Sequence, residues 1–338
     1  MRALCLAAAL VSPVAARAAD EAPIRVFILA GQSNMEGKAK MSLVEFQAKQ
    51  AATAALYEPF RKGDAWIERD DVSIKFLARK GPLTVGYGSP NCIGPELSFG
   101  WAAGEKYEAP VLLIKAAWGG RSVYRDFRSP SAGFPPDAAL QKMLDDARKK
   151  KPETTLDDIK KPFGDAYRDM LQEVNGTLAD IGKHFPKLAG RKHELAGFIW
   201  LQGWNDMINA DATAEYAANL THFIRDVRKD LKSEKLPFVI GQMGVDGLNP
   251  SAGVKKFKDA QAAVMNEAAF KGNVALVKTD AYWDTDAEAV FRKGWRENIV
   301  EWNKVGSDFP YHYLGSPKTM LKMGRGFAEA VFELRGEK

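Results

Sequence analysis

The chain has 338 residues, of which 46% are hydrophobic and 27% charged. That composition supplies a sizeable core and excludes an intrinsically disordered protein. The formal charge of +5 is small, and basic runs such as residues 148–151 are followed by acidic residues, which argues against a groove for nucleic acid.

The first eighteen residues have the pattern of a secretory signal peptide. Met1 and Arg2 give a positive start, Ala3–Val14 is apolar, and Ala16–Ala18 has the small-x-small pattern of a cleavage site. The apolar stretch is shorter than the roughly 20 residues of a spanning helix, so we expect cleavage, a secreted or periplasmic protein and no membrane attachment afterwards. Cleavage lowers the formal charge from +5 to +3 and leaves Cys92 as the only cysteine, so no internal disulfide is expected.

Five short apolar runs alternate with amphipathic stretches, which predicts a parallel α/β sheet. The predicted strands are Ile24–Ala30, Val111–Ala117, Leu195–Leu201, Phe238–Gln242 and Val274–Thr279. Helices are predicted at Gly94–Tyr107, Phe163–Phe185, Ala212–Leu231, Ala252–Phe270 and Ser316–Leu334. Right-handed crossovers then give a three-layer, flavodoxin-like, doubly wound fold with a five-stranded sheet, with residues 19–338 as a single domain.

Two segments interrupt this alternation and are predicted to be insertions, near residues 57–92 and 121–164. The first contains a predicted hairpin that turns at Asp70 and Asp71, and the second is rich in proline and charge. Because ligands bind beyond the carboxyl ends of the strands in such a sheet, we expect both insertions to form walls of a binding site.

The first predicted strand ends at Gly31-Gln32-Ser33-Asn34, which places Ser33 near the start of a helical segment. Backbone N–H groups at such a helix start favour developing negative charge, as the reaction of a serine nucleophile requires. Taken alone, a helix N-cap is the commoner role for a serine in this position.

Two further predicted strand ends carry small or polar residues. The second strand leads into Gly119-Gly120-Arg121, where glycine allows a backbone N–H to approach a ligand. The third leads into Gln202-Gly203-Trp204-Asn205-Asp206, where Asn205 can aim an amide at an oxyanion and Asp206 can brace the loop. Tight turns are the structural alternative for both.

Four residues beside these segments are predicted to contact substrate: Gln32, Glu96, Arg121 and Gln202. A structural ion pair between Arg121 and an acid such as Glu96 is the alternative for that arginine.

Of the four histidines, His184 and His222 fall in predicted helices and His193 in a charged turn, whereas His312 lies in a predicted loop directly before the final helix. A serine esterase needs such a base within hydrogen-bond reach, and a group that orients the base. Asp308 is the nearest acid, with Asp280, Asp284, Asp286 or a backbone carbonyl as alternatives. No cluster of ligand residues at metal-binding spacing is found in the sequence, so neither a metal nor a cofactor is expected.

Four short segments resemble the blocks of the SGNH hydrolases: the Gly-Gln-Ser-Asn-Met around Ser33, Gly120-Arg-Ser, Gly203-Trp-Asn-Asp, and a late Asp with His312. Within them, ILAGQSNMEG, GPELSFG and AAWGGRS resemble the sialate O-acetylesterase-like and related carbohydrate acetylesterases. The resemblance implies Ser33 as nucleophile and His312 as general base and then acid. It also implies an oxyanion hole formed by the Ser33 N–H, the Gly120 N–H and the Asn205 side chain.

The sequence departs from this family pattern in two places. Trp204 stands where relatives often carry glutamate, and Asp308 lies one residue further from His312 than the usual Asp-x-x-His spacing. The resemblance implies an exported serine esterase that removes acetyl groups from an O-acetylated carbohydrate. An esterase or thioesterase for other acyl or aryl esters, and a carbohydrate-binding relative without catalysis, remain the alternatives.

Overall fold

The computed structural model describes residues 22–337, so the predicted signal peptide lies outside the described residues. A seven-stranded sheet forms the centre of this part of the chain, with strands β1 Ile24–Gly31, β2 Arg69–Phe76, β3 Arg79–Leu83, β4 Val111–Ala117, β5 His193–Leu201, β6 Phe238–Gln242 and β7 Val274–Lys278. Their order in the sheet is β7-β6-β5-β1-β4-β2-β3. Every neighbouring pair is parallel except β2 and β3, which pair antiparallel at the edge.

The helices of eight residues or more are α1 Glu96–Lys106, α2 Asp137–Arg148, α3 Asp165–Ala179, α4 Ala210–Asp230, α5 Ala252–Ala263, α6 Thr285–Arg292 and α7 Pro317–Leu334. Shorter helices span Ser33–Glu36, Met41–Gln47, Leu156–Lys160, Ile181–His184, Trp204–Met207 and Ile299–Val305. Turns of 3-10 helix include Val264–Asn266, Ala268–Phe270, Thr279–Tyr282 and Pro310–Gly315. Two-residue strands pair Ala39–Lys40 with Cys92–Ile93, and Arg61–Lys62 with Ala65–Trp66.

The two faces of the sheet are covered by two apolar clusters, because the buried strand residues alternate between them. Helices α3, α4 and α5 pack on one face through residues such as Met170, Phe223 and Phe257. Helices α1 and α7 pack on the other through residues such as Phe99 and Phe327. The predicted three-layer α/β/α fold of the SGNH type is therefore confirmed. Between residues 22 and 337, no helix is long and apolar enough to cross a bilayer.

The prediction of five strands is wrong, because the first insertion adds β2 and β3 to the sheet. Their hairpin turns at Leu77 and Ala78, since Phe76 pairs with Arg79, and not at Asp70 and Asp71, which lie in the exposed start of β2. The side chains of Val72, Ile74 and Phe76 alternate into the core. The two aspartates therefore begin a half-buried strand in place of the predicted turn.

The predicted helices differ from the observed ones mainly at their ends. The prediction for 163–185 is interrupted at Asp180, whose extended φ of −150° separates α3 from Ile181–His184. The prediction for 252–270 continues past α5 only as two 3-10 turns. The second insertion contains α2 and the short helix Leu156–Lys160, neither of which was predicted.

Candidate active site

Three adjacent strands, β4, β1 and β5, deliver the candidate site residues to one edge of the sheet. Ser33 follows β1, Gly120 follows β4 and Asn205 follows β5. Gly31 makes this junction possible: its φ is +150°, and a Cβ there would lie 2.1 Å from the carbonyl oxygen of Leu201. Only glycine allows the end of β1 to approach β5 so closely, which sets Ser33 in the crevice where the strand order reverses.

Ser33 is the first residue of the short helix Ser33–Glu36 and is only 6% exposed. Its Oγ lies 2.9 Å from Nε2 of His312, within hydrogen-bond distance. The other ring nitrogen of His312, Nδ1, lies 3.1 Å from Oδ1 of Asp308. The three side chains thus follow one another as nucleophile, base and acid do in a serine hydrolase.

The contact between Asp308 and His312 is close but poorly aligned. Nδ1 of His312 makes no hydrogen bond of good geometry with any residue of the described chain, although Oδ1 of Asp308 is within ion-pair distance. That Oδ1 also accepts the N–H of Phe309, at 2.7 Å. Burial raises the pKa of Asp308, but the contacts with His312 and Phe309 outweigh burial and hold it below its usual value. The four-residue spacing therefore brings the acid to the base without full hydrogen-bond geometry.

The loop that carries His312 contains strained backbone and is held by hydrogen bonds to other elements. Tyr313 and Leu314 both have a positive φ, of 53° and 61°, a conformation that costs energy for residues other than glycine. The Tyr313 hydroxyl is buried and accepts the N–H of Gly244 at 2.8 Å. The Asn34 side chain, directly after the candidate nucleophile, donates to the Tyr311 carbonyl at 3.0 Å. Asn34 was not predicted to have this role, although it lies within the GQSNM motif.

The predicted oxyanion donors converge around Ser33. Within residues 22–337, the backbone N–H groups of Ser33 and Gly120 donate to no protein acceptor. Nδ2 of Asn205 donates to the Gly120 carbonyl at 3.0 Å, and its Oδ1 accepts from Gln32 at 3.3 Å. Since an amide nitrogen carries two hydrogens, this orientation leaves one hydrogen of Asn205 for a ligand. Gly120 has a φ of +72°, the left-handed conformation that favours glycine.

Glu36 fixes the Gly119-Gly120 turn against the nucleophile and was not predicted. Its carboxylate accepts the Gly119 N–H at 2.5 Å, the Ser89 hydroxyl at 2.8 Å and the Lys38 ammonium at 2.7 Å. Burial raises the pKa of Glu36, but these donors outweigh it and the pKa is lowered. A Cβ at Gly119 would lie 3.6 Å from Cβ of Ser33, so the turn lies directly beside Ser33. The sequence does contain a signal for this role of Glu36, because a glutamate three residues after the candidate nucleophile lies one helical turn away from it.

Two of the predicted substrate contacts, Gln32 and Gln202, are buried and tie the strand ends together. Oε1 of Gln32 accepts from Nε2 of Gln202 and from the Gly203 N–H, both at 3.1 Å. Nε2 of Gln202 also donates to Asp206 at 2.6 Å and to the Arg121 carbonyl at 2.9 Å. With exposures of 2% and 3%, neither side chain faces the crevice, and the geometry gives both a structural role.

Glu96 is likewise removed from the crevice. It is 0% exposed, and its carboxylate lies 2.7 Å from Nζ of Lys115 and accepts the Gly94 N–H at 2.8 Å. The predicted substrate contact of Glu96 is therefore corrected to a buried ion pair. Arg121 keeps a side chain that is 43% exposed, and it pairs with Asp126 at 3.1 Å and not with Glu96. Of the four predicted contacts, Arg121 alone remains available to substrate.

Asp206 braces the second insertion, whereas a bracing role was predicted for it only in its own loop after β5. Its carboxylate accepts the N–H groups of Val123 at 2.9 Å and Tyr124 at 2.8 Å. Burial raises the pKa of Asp206 to about 7 and outweighs the opposing hydrogen bonds.

The neighbouring Trp204 is half-buried and lies against Tyr311, with ring centroids 5.4 Å apart. Trp204 therefore borders the His312 loop.

Metal ligands are not grouped in this site. In the part of the chain that the structure describes, no three His, Cys, Asp or Glu side chains are placed to hold a metal ion.

Comparison with known proteins supplies the family. A protein from Arabidopsis thaliana of known structure aligns with a TM-score of 0.52 at 15% identity, over 92% of this chain and 98% of that chain. A carbohydrate acetylesterase from Xanthomonas citri aligns with a TM-score of 0.49 at 13% identity, over 93% of this chain and 57% of that chain. At 15% identity, the first of these likenesses concerns the fold alone. No curated protein sequence matches the chain significantly. The family model described as carbohydrate esterase, sialic acid-specific acetylesterase, matches residues 23–288. The chain therefore belongs to this family of carbohydrate acetylesterases.

Proposed function

We propose that the protein is an exported serine esterase that removes O-acetyl groups from a carbohydrate. The observation that carries the proposal is the 2.9 Å contact between Ser33 Oγ and His312 Nε2, beside two unpaired backbone N–H groups and the Asn205 amide. Membership of the acetylesterase family supports the acetyl group and the sugar as substrate.

In the first half of the reaction, Ser33 Oγ attacks the acetyl carbonyl carbon while Nε2 of His312 accepts the hydroxyl proton. The carbonyl oxygen becomes negatively charged and is stabilised by the N–H groups of Ser33 and Gly120 and by the Asn205 amide. The bond to the sugar oxygen then breaks. His312 returns its proton to that oxygen, so that the sugar leaves as an alcohol and the acetyl group remains on Ser33.

In the second half, a water molecule attacks the acetyl-enzyme while His312 accepts one of its protons. The same donors stabilise the second oxyanion. Collapse releases acetate and returns the proton from His312 to Ser33. No cofactor takes part in this sequence. Asp308 lies on the far side of His312, where its negative charge stabilises the protonated imidazole formed in each half.

The poor alignment of Asp308 with His312 favours one alternative, a carbohydrate-binding protein that lacks catalysis. A second alternative, an esterase for longer or aromatic acyl groups, shares all of the proposed chemistry.

Acetate release from acetylated xylan, pectin, sialic acid and bacterial polysaccharides tests the proposal, with an acyl-chain-length series of simple esters measured in parallel. We expect release from at least one acetylated carbohydrate and a preference for acetyl over longer chains. Binding of these carbohydrates without any release would favour the non-catalytic alternative, and a preference for longer acyl chains would favour the second.

A further inference from the structure

We propose that a cavity beside the His312 loop binds further sugar units of the substrate, so that the enzyme favours an acetylated oligosaccharide over an acetylated monosaccharide. The inference rests on the proposed function and specifies its substrate. The cavity has a volume of about 590 Å³ and is lined by residues of the segments 40–46, 291–303 and 306–309. Pockets of this size enclose ligands of several rings.

The walls of the cavity come from two short helices that are joined to each other. Helix Met41–Gln47 and helix Ile299–Val305 are connected by a hydrogen bond from Gln47 Nε2 to the Lys304 carbonyl, at 3.1 Å. Neither predicted insertion contributes a lining residue, although we expected the insertions to form the walls of the binding site. The segments 291–303 and 306–309 also lie beyond residue 288, where the family match ends.

The cavity and the candidate active site are bordered by the same loop. Asp308 and Phe309 line the cavity, and His312, three residues further along, contacts Ser33. Aromatic rings connect the two places. Trp204, next to Asn205, lies 5.4 Å from Tyr311, Tyr311 lies 5.4 Å from Phe309, and Phe309 lies 6.0 Å from Trp295, measured between ring centroids.

The proposed chemistry assigns the sugar to this side of Ser33. The carbonyl oxygen is held by Gly120 and Asn205, whereas the leaving sugar oxygen must receive its proton from Nε2 of His312. The sugar therefore lies on the side of His312. A chain extending from that sugar along the His312 loop reaches Phe309 and the cavity.

The lining residues fit a carbohydrate. Phe309 is 41% exposed, and Trp295 and Phe46 are half-buried, so their rings offer apolar surface to the C–H groups of a sugar ring. Lys40 and Asn303 are exposed at the same cavity and supply polar groups for hydroxyls. This combination of aromatic surface with a few polar groups is what a specific pocket for a polar ligand requires.

Trp295→Ala tests the proposal, with Trp66→Ala as its matched control. Both tryptophans are half-buried, and both pack beneath an arginine, Arg296 at 4.8 Å from the Trp295 ring and Arg61 at 5.3 Å from the Trp66 ring. Trp66 does not line the cavity. Neither residue is placed in the catalytic machinery, so both variants keep the groups that perform the reaction.

The assay compares p-nitrophenyl acetate with acetylated oligosaccharides of one to six sugars, prepared from whichever acetylated polysaccharide the wild type deacetylates. In the wild type we expect kcat/KM to rise with chain length. Trp295→Ala should raise KM for the longer oligosaccharides about tenfold, as expected for the loss of an aromatic stacking surface. Its activity on p-nitrophenyl acetate should stay within about twofold of wild type, since the Ser33 and His312 contacts are kept. Trp66→Ala should change neither activity.

The proposal is overturned if kcat/KM of the wild type does not rise with chain length, or if folded Trp295→Ala keeps that rise. If thermal unfolding shows that Trp295→Ala is not folded, Asn303→Ala replaces it, because that variant removes an exposed polar group of the same cavity. Asn303→Ala should likewise raise KM for the longer oligosaccharides and leave the activity on p-nitrophenyl acetate unchanged. Failure of the proposed function is distinguishable, because no acetylated carbohydrate of any length would then be deacetylated.

Discussion

The buried ion pair between Lys115 and Glu96 gives the sharpest test of how the site is supported. Lys115 lies in β4 and is 0% exposed. Its ammonium lies 2.7 Å from the Glu96 carboxylate, and it donates to the carbonyls of Glu36 at 2.7 Å and Tyr87 at 2.9 Å. All three of its hydrogens are therefore used, and one of them holds the end of the helix that begins at Ser33.

Lys115→Met should destabilise the protein strongly. It leaves the Glu96 carboxylate buried with the Gly94 N–H as its remaining hydrogen bond, and the carbonyls of Glu36 and Tyr87 lose a donor. Breaking a buried ion pair in this way costs about 3–5 kcal/mol. Because the unpaired Glu96 carboxylate accounts for about half of that cost, the double variant Lys115→Met with Glu96→Gln should recover about half of it. The lost contact with the Glu36 carbonyl remains in both variants.

Equilibrium urea unfolding of the wild type, the two single variants and the double variant measures these free energies and their coupling. The reasoning is refuted if Lys115→Met costs less than about 1 kcal/mol, or if the two single costs simply add in the double variant. Either result would mean that the pair is not an ion pair isolated from water.

Three further predictions concern the site. Asn205→Ala should lower kcat by about 10²–10³ if its amide stabilises the oxyanion, and a loss below tenfold, measured as acetate release, would remove it from the hole. Asp308→Asn should lower kcat by only about 10–100-fold, because the contact between Asp308 and His312 is misaligned. A loss near the roughly 10⁴ of an aligned triad would show that the contact is well aligned. The pKa of Asp206 is raised to about 7 in the folded protein, whereas an unfolded aspartate loses its proton near pH 4. Between about pH 4 and 7 the folded state therefore binds more protons than the unfolded state, and the folded state is destabilised as the pH rises through that window. Asp206→Asn should flatten this decline in urea unfolding measured at several pH values, and an unchanged slope would assign it to other groups.

The central parallel sheet could be predicted because buried parallel strands are continuous apolar runs. Val111–Ala117 and Phe238–Gln242 have the predicted bounds. The edge hairpin could not be recognised in the same way. Its first strand has Asp70 and Asp71 exposed near its start, where two adjacent aspartates have the appearance of a turn.

The residues of the crevice could be predicted by type and by strand end, since the carboxyl ends of neighbouring parallel strands meet at one edge. The sequence does not show which polar side chains are already paired with residues distant in the chain. Glu96 was predicted to contact substrate, but Lys115, nineteen residues later, neutralises it inside the core. Glu36 went unnoticed for the converse reason, because its partners Ser89 and Gly119 come from two other loops.

The central claim is that Ser33 is the nucleophile, and kcat/KM for acetate release by purified Ser33→Ala tests it most directly. We expect a loss of at least about 10⁴ relative to wild type, as when the nucleophile of a serine hydrolase is removed, with an unchanged unfolding midpoint. Acetate release by folded Ser33→Ala at close to the wild-type rate would contradict the account.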